Sequence, residues 1–320
     1  MSSRLIDNSG PDARQGDHWL SCWCSPATSF HARLTALNQL AGRRMKSAEA
    51  AQAWLHLMEA AAVRQLLSPP QTELLTRQFL MLAPDHAQSE LLFSALVNRP
   101  EPAPAPPHGL VFMITSCARY IDAARRQFDA LTRRDMAALI VIGEPALAVP
   151  EFEADRSLVR LPVEDTYEAL TSKVLEGLTF LRRRYGGSTS IAKIDDDTQL
   201  LPAFNGQVLA GMARSHHYVG NAWRASDRCF HLGKTAHPIP IYARRSPALF
   251  AGGPMYLLGP RAVEHLVREW VFYPGEFEGL LYEDRAIGEG LRRAGIEPHQ
   301  QSFAGMGIAP KIDDRFASAA

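Results

Sequence analysis

The sequence predicts an α/β protein in two parts: a small all-α segment, then a larger mixed sheet with covering helices. Three observations lead there. After residue 109, short β-branched runs alternate with helical patterns, which is how strands interleaved with covering helices read. Before residue 98 the periodicity is helical, with no strand-like run. Between them, residues 99–108 read Arg-Pro-Glu-Pro-Ala-Pro-Ala-Pro-Pro-His, with no backbone donor at five of ten positions. Such a segment stays extended and semi-rigid. The expected organisation is a helical module over 1–98, a Pro-rich linker over 99–108 and an α/β domain over 109–320.

In the first part, Ser47 opens an Ala-rich helix reaching Leu67, with Ala50, Trp54, Leu57, Met58 and Ala61 at helical spacing, and Ser68-Pro69-Pro70 stops it. Helices over Gln71–Leu82 and Asp85–Val97 follow. Nothing in this module reads as catalytic, so it is expected to be dispensable for the chemistry and to serve, if anything, protein contact. In the second part the expected order is a strand at 110–115, a basic helix at 120–134, strands at 136–142 and 157–161, and a long helix at 165–185. A strand at 189–194, a helix at 202–214 and strands at 217–223 and 249–258 come next. Gly259-Pro260 starts a helix with Val263, Leu266, Val267 and Trp270 in phase, since proline at the first turn gives up no needed donor. A last helix runs from Glu283 to Ala294.

Composition narrows the function. Lys plus Arg equals Asp plus Glu at 34 each, so the chain as a whole offers no electrostatic case for nucleic acid. Its 46% hydrophobic content supports a full core. Four cysteines (Cys22, Cys24, Cys117, Cys229) are too few and scattered for a disulfide framework, which favours a reducing compartment. Cys22-Trp23-Cys24 resembles half of a metal or redox site, but no second pair accompanies it. Residues 1–16 are polar with no secretory signal, and no apolar run, Leu110 to Ile114 included, is long enough to cross a bilayer. A cytoplasmic protein without a transmembrane segment is the expectation.

The most informative segment is Ile191-Ala192-Lys193-Ile194-Asp195-Asp196-Asp197, where an apolar run carries three consecutive carboxylates out of a strand end. Carboxylates this close repel one another unless they are fully solvated or hold a cation. Mg²⁺ or Mn²⁺ is usually held by one or two carboxylates plus the substrate's phosphates, which makes a nucleotide-diphosphate site the leading idea. A solvated acidic turn is the alternative.

Upstream lies Asp165-Thr166-Tyr167-Glu168-Ala169-Leu170-Thr171-Ser172-Lys173; downstream come Phe250-Ala251-Gly252-Gly253-Pro254-Met255-Tyr256-Leu257 and Tyr282-Glu283-Asp284-Arg285-Ala286-Ile287-Gly288. In this order the segments resemble the β-1,3-galactosyltransferase and Fringe glycosyltransferases, over about residues 109 to 305. Their pattern runs D-x-Y-x-N-L-T-x-K, K-x-D-D-D, a Gly-Gly strand and E-D-x-x-x-G. Ala169 departs from the usual Asn, Phe250-Ala251 from Cys-Ser, and Pro254-Met255 from small or aromatic residues. The resemblance implies a GT-A-like mixed-sheet nucleotide-sugar domain and a metal-dependent inverting transfer from a UDP-sugar to a glycan acceptor, probable linkage β-1,3. Eukaryotic members of the resembled family are usually anchored in the Golgi by an N-terminal helix; this sequence shows none, so a cytosolic, bacterial relative is the expectation.

By that resemblance Asp197 is the direct metal ligand for Mn²⁺ or Mg²⁺, Asp195 and Asp196 position the nucleotide, and Asp284 is the base. Glu283-Asp284 also reads simply as an acidic first turn of a helix. Thr115-Ser116 ends the first strand, where α/β sheets place nucleotides, though it equally reads as a helix cap. One of Arg119, Arg125 and Arg126 is expected at the donor phosphates, Arg119 foremost. Lys173 either balances charge in the site or lies on the surface. Gly252 and Gly253 allow a sugar close to the backbone, or form a bulge. His299 is the candidate last metal ligand, unless the metal keeps water there or His299 is an exposed strand-end residue, while His216, His217, His231 and His237 read as ordinary core or loop residues. Trp270, Tyr273 and Phe277 stack on the acceptor or close the core. Two rivals remain: a sugar nucleotidyltransferase, against which Cys117-Ala118-Arg119 lacks the Gly-rich loop, and a degenerate, non-catalytic sugar-nucleotide-binding protein.

Overall fold

A computed structural model of the chain describes residues 55, 67–98, 103–224, 249–277, 280 and 282–309. The expected helix at Ser47–Leu67 (apart from Leu55 and Leu67), Cys22-Trp23-Cys24, Cys229, His231 and His237 lie outside the described residues.

Seven α-helices and ten strands occur among the described residues. The order is α1 (Pro69–Leu82), α2 (Ser89–Val97), β1 (Leu110–Thr115), α3 (Ile121–Thr132), β2 (Ala137–Gly143), β3 (Glu151–Glu153), β4 (Leu158–Leu161), α4 (Leu170–Tyr185) and β5 (Ser190–Asp195). Then follow β6 (Gln199–Leu200), α5 (Gly206–Ser215), β7 (Tyr218–Arg224), β8 (Leu249–Leu258), α6 (Pro260–Phe272), α7 (Glu283–Arg293), β9 (His299–Gln300) and β10 (Ile308–Ala309). The class is α/β, as the alternating pattern predicts. The expected strands agree to within a residue or two; β3, β6, β9 and β10 are short strands the sequence does not announce. The long helix starts at Leu170 rather than 165, because Asp165 is engaged elsewhere, as shown below.

Eight strands form one sheet in the order β3-β4-β2-β1-β5-β8-β7-β9. β4, β2, β1 and β5 are parallel. β8 runs antiparallel between β5 and β7, and β9 lies parallel to β7 at the edge. Alternation of side chains along the strands divides the core in two. Val111, Met113, Val141, Ile191 and Tyr256 face a layer built from α1, α2, α4, α6 and α7. Leu110, Phe112, Ile114, Ala192 and Leu257 face α3 and α5.

Crossover handedness explains the two layers. The step from β1 through α3 to β2 moves one way across the sheet, and the step from β4 through α4 to β5 moves back past β1. Right-handed crossovers of opposite direction put their helices on opposite faces. The strand order therefore reverses between β1 and β5, and ligands of open α/β sheets bind outside the strand C-termini at such a point.

Helices α1 and α2 are not packed as a separate module. Leu75, Phe79, Leu80, Phe93, Leu96 and Val97 belong to the same apolar cluster as α4, α6 and α7. Ion pairs close the seam: Arg77 donates to both Glu176 oxygens at 2.7 and 2.9 Å, and Arg183 to Glu73 at 2.7 Å. Arg182 reaches the Val97 carbonyl, the Asn98 side chain and Glu264. The proline stretch is thus a boundary in composition but not in packing, because helices this short bury their apolar faces only against the larger body. Among the described residues no helix is long and apolar enough to cross a membrane.

Candidate functional site

The site lies at the C-terminal edge of the sheet where the strand order reverses. Thr115 and Asp195, the last residues of β1 and β5, are neighbours in the parallel ladder. Both follow the alternation onto the α4 and α7 side, together with Lys193. Ser116 continues β1 by donating its amide to Val141 O at 3.0 Å, and its hydroxyl donates to Asp196 Oδ2 at 2.6 Å. The Thr115 hydroxyl is buried and has no hydrogen-bond partner among the described residues. A buried polar atom left in this state is destabilising by about 1–3 kcal/mol, so its position at the mouth of a switch point invites a ligand's hydrogen bond.

The acidic triplet is a tight turn, not a loose run of charges. Thr198 donates its amide to Asp195 O at 3.1 Å and its hydroxyl to Pro254 O at 3.3 Å, while Gln127 donates to Thr198 O at 3.1 Å. The three carboxylates have three different environments. Asp195 accepts from Lys193 Nζ at 2.6 Å. Asp196 is half-buried; burial first, then the charges of Asp197 and Asp195, hold its carboxyl above the usual range despite the Ser116 hydrogen bond. Asp197 is exposed at the tip.

Lys193 joins this turn to α7. Its ammonium is fully buried, 2.6 Å from Asp195 and 3.3 Å from Glu283 Oε2. Burial opposes its charge, but Asp195 and Glu283 outweigh burial and raise its pKa far above the ordinary lysine value. Glu283 is buried as well and accepts from the Tyr256 hydroxyl, Tyr256 being the cross-strand partner of Lys193. Burial pushes the Glu283 carboxyl up, with Lys193 and Tyr256 pulling the other way.

Asp284 follows, half-buried, with its Oδ1 accepting from the Arg285 amide at 2.8 Å. A solvated carboxylate in the first turn of a helix is stabilised as an anion by the macrodipole. Asp284 departs from that: burial, then the adjacent Glu283 charge, with Asp195 adding, push it up to about 7 against the Arg285 amide and Lys193. Solvent reaches part of the side chain while dense protein surrounds the rest, the setting of a group that exchanges protons near neutrality. Tyr167 stands close by. Burial chiefly, and then the charge of Asp284, hold its phenol well above the ordinary tyrosine value.

The remaining expected residues are placed as follows. Lys173 is neither on the surface nor in the site's opening: it is buried, donating to Asp165 Oδ1 at 2.7 Å and Ser116 O at 2.9 Å. Asp165 also accepts from the Ala118 amide at 2.7 Å and the Gly143 amide at 2.9 Å. Burial acts to raise the Asp165 carboxyl, but Lys173 and the two amides hold it below the usual range. Arg119 is exposed beyond β1, its guanidinium 5.4 Å from the centroid of the Tyr120 ring. Arg125 caps the Arg156 carbonyl at 2.9 Å.

Gly252 and Gly253 lie in β8 where it passes the acidic turn, with a register shift between Gly220 and Asn221 on β7. A Cβ on Gly252 would stand 2.8 Å from the Trp223 indole, so packing of that ring accounts for the glycine without a sugar. Trp270 donates to Glu176 at 2.7 Å and packs edge-on to the buried Phe277, so both close the core; Tyr273 is exposed.

His299 is not brought to the triplet. It pairs with Val219, which pairs with Leu257, which pairs with Ala192. That register sets it three strands from β5, about 14 Å across the sheet, and about 10 Å back from Asp195 along the strands. Its ring is exposed and stacks on His216 at 3.8 Å, so neither ring faces the acidic turn. Spacing in sequence carries no information about this separation; strand order does.

Sequence reasoning missed Asp165, Lys193, Tyr167 and Tyr256 as site residues. All four carried a signal, since they occupy the quoted motifs. For Tyr256 the motif did not tell its partner; its pairing with Lys193 does.

Among the described residues no three or more His, Cys, Asp or Glu side chains form a ready metal cage. The donor set fits another kind of site. Two adjacent carboxylates, Asp196 and Asp197, follow the strand end, and the Asp197 charge helps to push the Asp196 carboxyl up; such a pair suits a hard cation whose shell is completed by substrate oxygens. Comparison with protein-family models and with curated proteins gives no match for this chain.

Proposed function

We propose that the protein is a metal-dependent inverting glycosyltransferase of the GT-A type, moving a hexose or N-acetylhexosamine from a UDP-sugar to a glycan acceptor through a β-1,3 linkage. The observation that carries this reading is the Lys193 bridge, which sets the Glu283–Asp284 turn of α7 against the Asp195 end of the acidic triplet. Two distant sequence segments, each with a bland explanation alone, thereby form one acidic cluster at the switch point of the sheet. The order of the four motifs supports the same reading.

Asp197 and Asp196 would hold Mn²⁺ or Mg²⁺, which would supply charge compensation for the departing diphosphate. The chain's own groups do the rest. Ser116 fixes the orientation of Asp196, and Lys193 fixes that of Asp195. Asp284, as carboxylate, accepts the proton of the acceptor hydroxyl while that oxygen bonds to the anomeric carbon and the bond to the diphosphate breaks, its electron pair leaving with UDP. An affinity for protons near neutrality suits this step, since a base that is too weak takes up no proton and one too strong is already protonated.

The test is direct: UDP and a panel of UDP-sugars are titrated into the protein with Mn²⁺ and with excess chelator. Ligands that bind the folded state raise its melting temperature. Asp197→Ala should lose the metal-dependent part of binding and remain folded. Equal UDP affinity with and without chelator would falsify the metal-dependent reading.

A further inference from the structure

Asp165 lies in the turn before α4, outside the strand-end triplet and outside the Glu283–Asp284 turn, yet its carboxylate is the meeting point of three elements. One oxygen accepts from the Gly143 amide at the end of β2 and from Lys173 of α4, and the other accepts from the Ala118 amide just after β1. Lys173 passes the connection on, donating also to Ser116 O, and the Ser116 hydroxyl ends it on Asp196. No neutral side chain can replace the carboxylate here, since three donors, one of them a cation, converge on two oxygens. The fit is close: a Cβ on Gly143 would stand 2.7 Å from both the Val163 and Glu164 carbonyls, so the segment carrying Asp165 is pressed against the end of β2.

We propose that Asp165 is a positioning residue for the donor site, holding the turn at 116–118 against β2 and, through Lys173 and Ser116, setting the orientation of Asp196. This rests on the reading of that site as the place where a nucleoside diphosphate binds with a divalent cation. Asp165 touches neither substrate nor metal; it acts on both through the two residues between. Groups that orient metal-binding carboxylates are commonly worth about 10–100-fold in affinity when removed.

The experiment combines amide hydrogen exchange of the free protein with calorimetric titration of UDP in excess Mn²⁺, on the parent chain, Asp165→Asn and Ser116→Ala. Asp165→Asn is expected to raise exchange at 117–118 and at Gly143 by about tenfold or more while β1 amides at 111–114 stay protected. It should weaken Mn²⁺-dependent UDP binding about 10–100-fold. Ser116→Ala should reproduce the loss of UDP affinity without the exchange change at Gly143, and it serves alone if Asp165→Asn does not fold. A merely structural Asp165 lowers the melting temperature but leaves the UDP affinity of the folded protein within about twofold, and that result overturns the proposal, as does unchanged UDP affinity in Ser116→Ala. Unchanged exchange at 117–118 in Asp165→Asn overturns it also. If the parent chain binds no UDP with Mn²⁺, the donor-site reading falls and the proposal with it; the exchange difference then persists, which tells the two failures apart.

Discussion

Replacing Asp284 with asparagine keeps the size of the side chain and its acceptor for the Arg285 amide but removes a charge that the fold holds against burial. The wild-type carboxyl is pushed up to about 7, burial being the main cause and Glu283 the next. The folded value lies above the unfolded one, so this group favours folding below about pH 4 and loses that contribution as pH rises to about 7, after which the loss is complete. The gap corresponds to a ceiling of roughly 4 kcal/mol. Solvent reaching the half-buried carboxylate leaves about 1–2 kcal/mol. Asp284→Asn should therefore match the wild type at pH 4 and exceed it by about 1–2 kcal/mol at pH 8, measured by urea unfolding with chelator present. With a competent donor and acceptor, the same variant should turn over about 10²-fold more slowly or worse at unchanged donor affinity. Added stability with lost turnover is how a strained functional group appears. Equal stability of the two proteins from pH 4 to 8 would refute the burial argument for Asp284, and near wild-type turnover would refute its role as base.

Lys193→Met strands two carboxylates, Asp195 and Glu283, and should destabilise by about 3–5 kcal/mol, more at pH 8 than at pH 5 because the buried, raised Glu283 carboxyl loses stability as pH rises; a loss independent of pH speaks against the bridge. A fragment starting near Pro107 lacks α1 and α2, whose six buried Leu, Phe and Val side chains contribute roughly 9–18 kcal/mol of burial, comparable to the net stability of a domain. It should fail to unfold cooperatively by calorimetry, and a well-folded fragment would show the helices to be an independent module after all. His299→Ala should leave Mn²⁺-dependent UDP binding within about twofold by titration, since strand register holds it away from the triplet; a loss above tenfold would place it in the metal shell.

Local chemistry was legible in the sequence. Period-2 and helical runs located the helices and the six longer strands of the α/β part, because those patterns reflect which face of a strand or helix is buried, while the two- and three-residue strands β3, β6, β9 and β10 are too short to show a period. The acidic triplet, the Glu283–Asp284 turn and the Asp165 to Lys173 segment were visible as motifs, since each is contiguous. What no contiguous reading contains is strand order. That order put Thr115 beside Asp195 and brought Lys193 between Asp195 and Glu283. It carried His299 three strands away and turned Lys173 inward onto Asp165. It also merged the helices before the proline stretch into the main core, where composition alone drew a boundary. The physical reason is the same throughout. Hydrophobic periodicity says that a face is buried, whereas the partner that buries it, and the charge that a buried lysine or carboxylate then meets, are set only when distant segments pack.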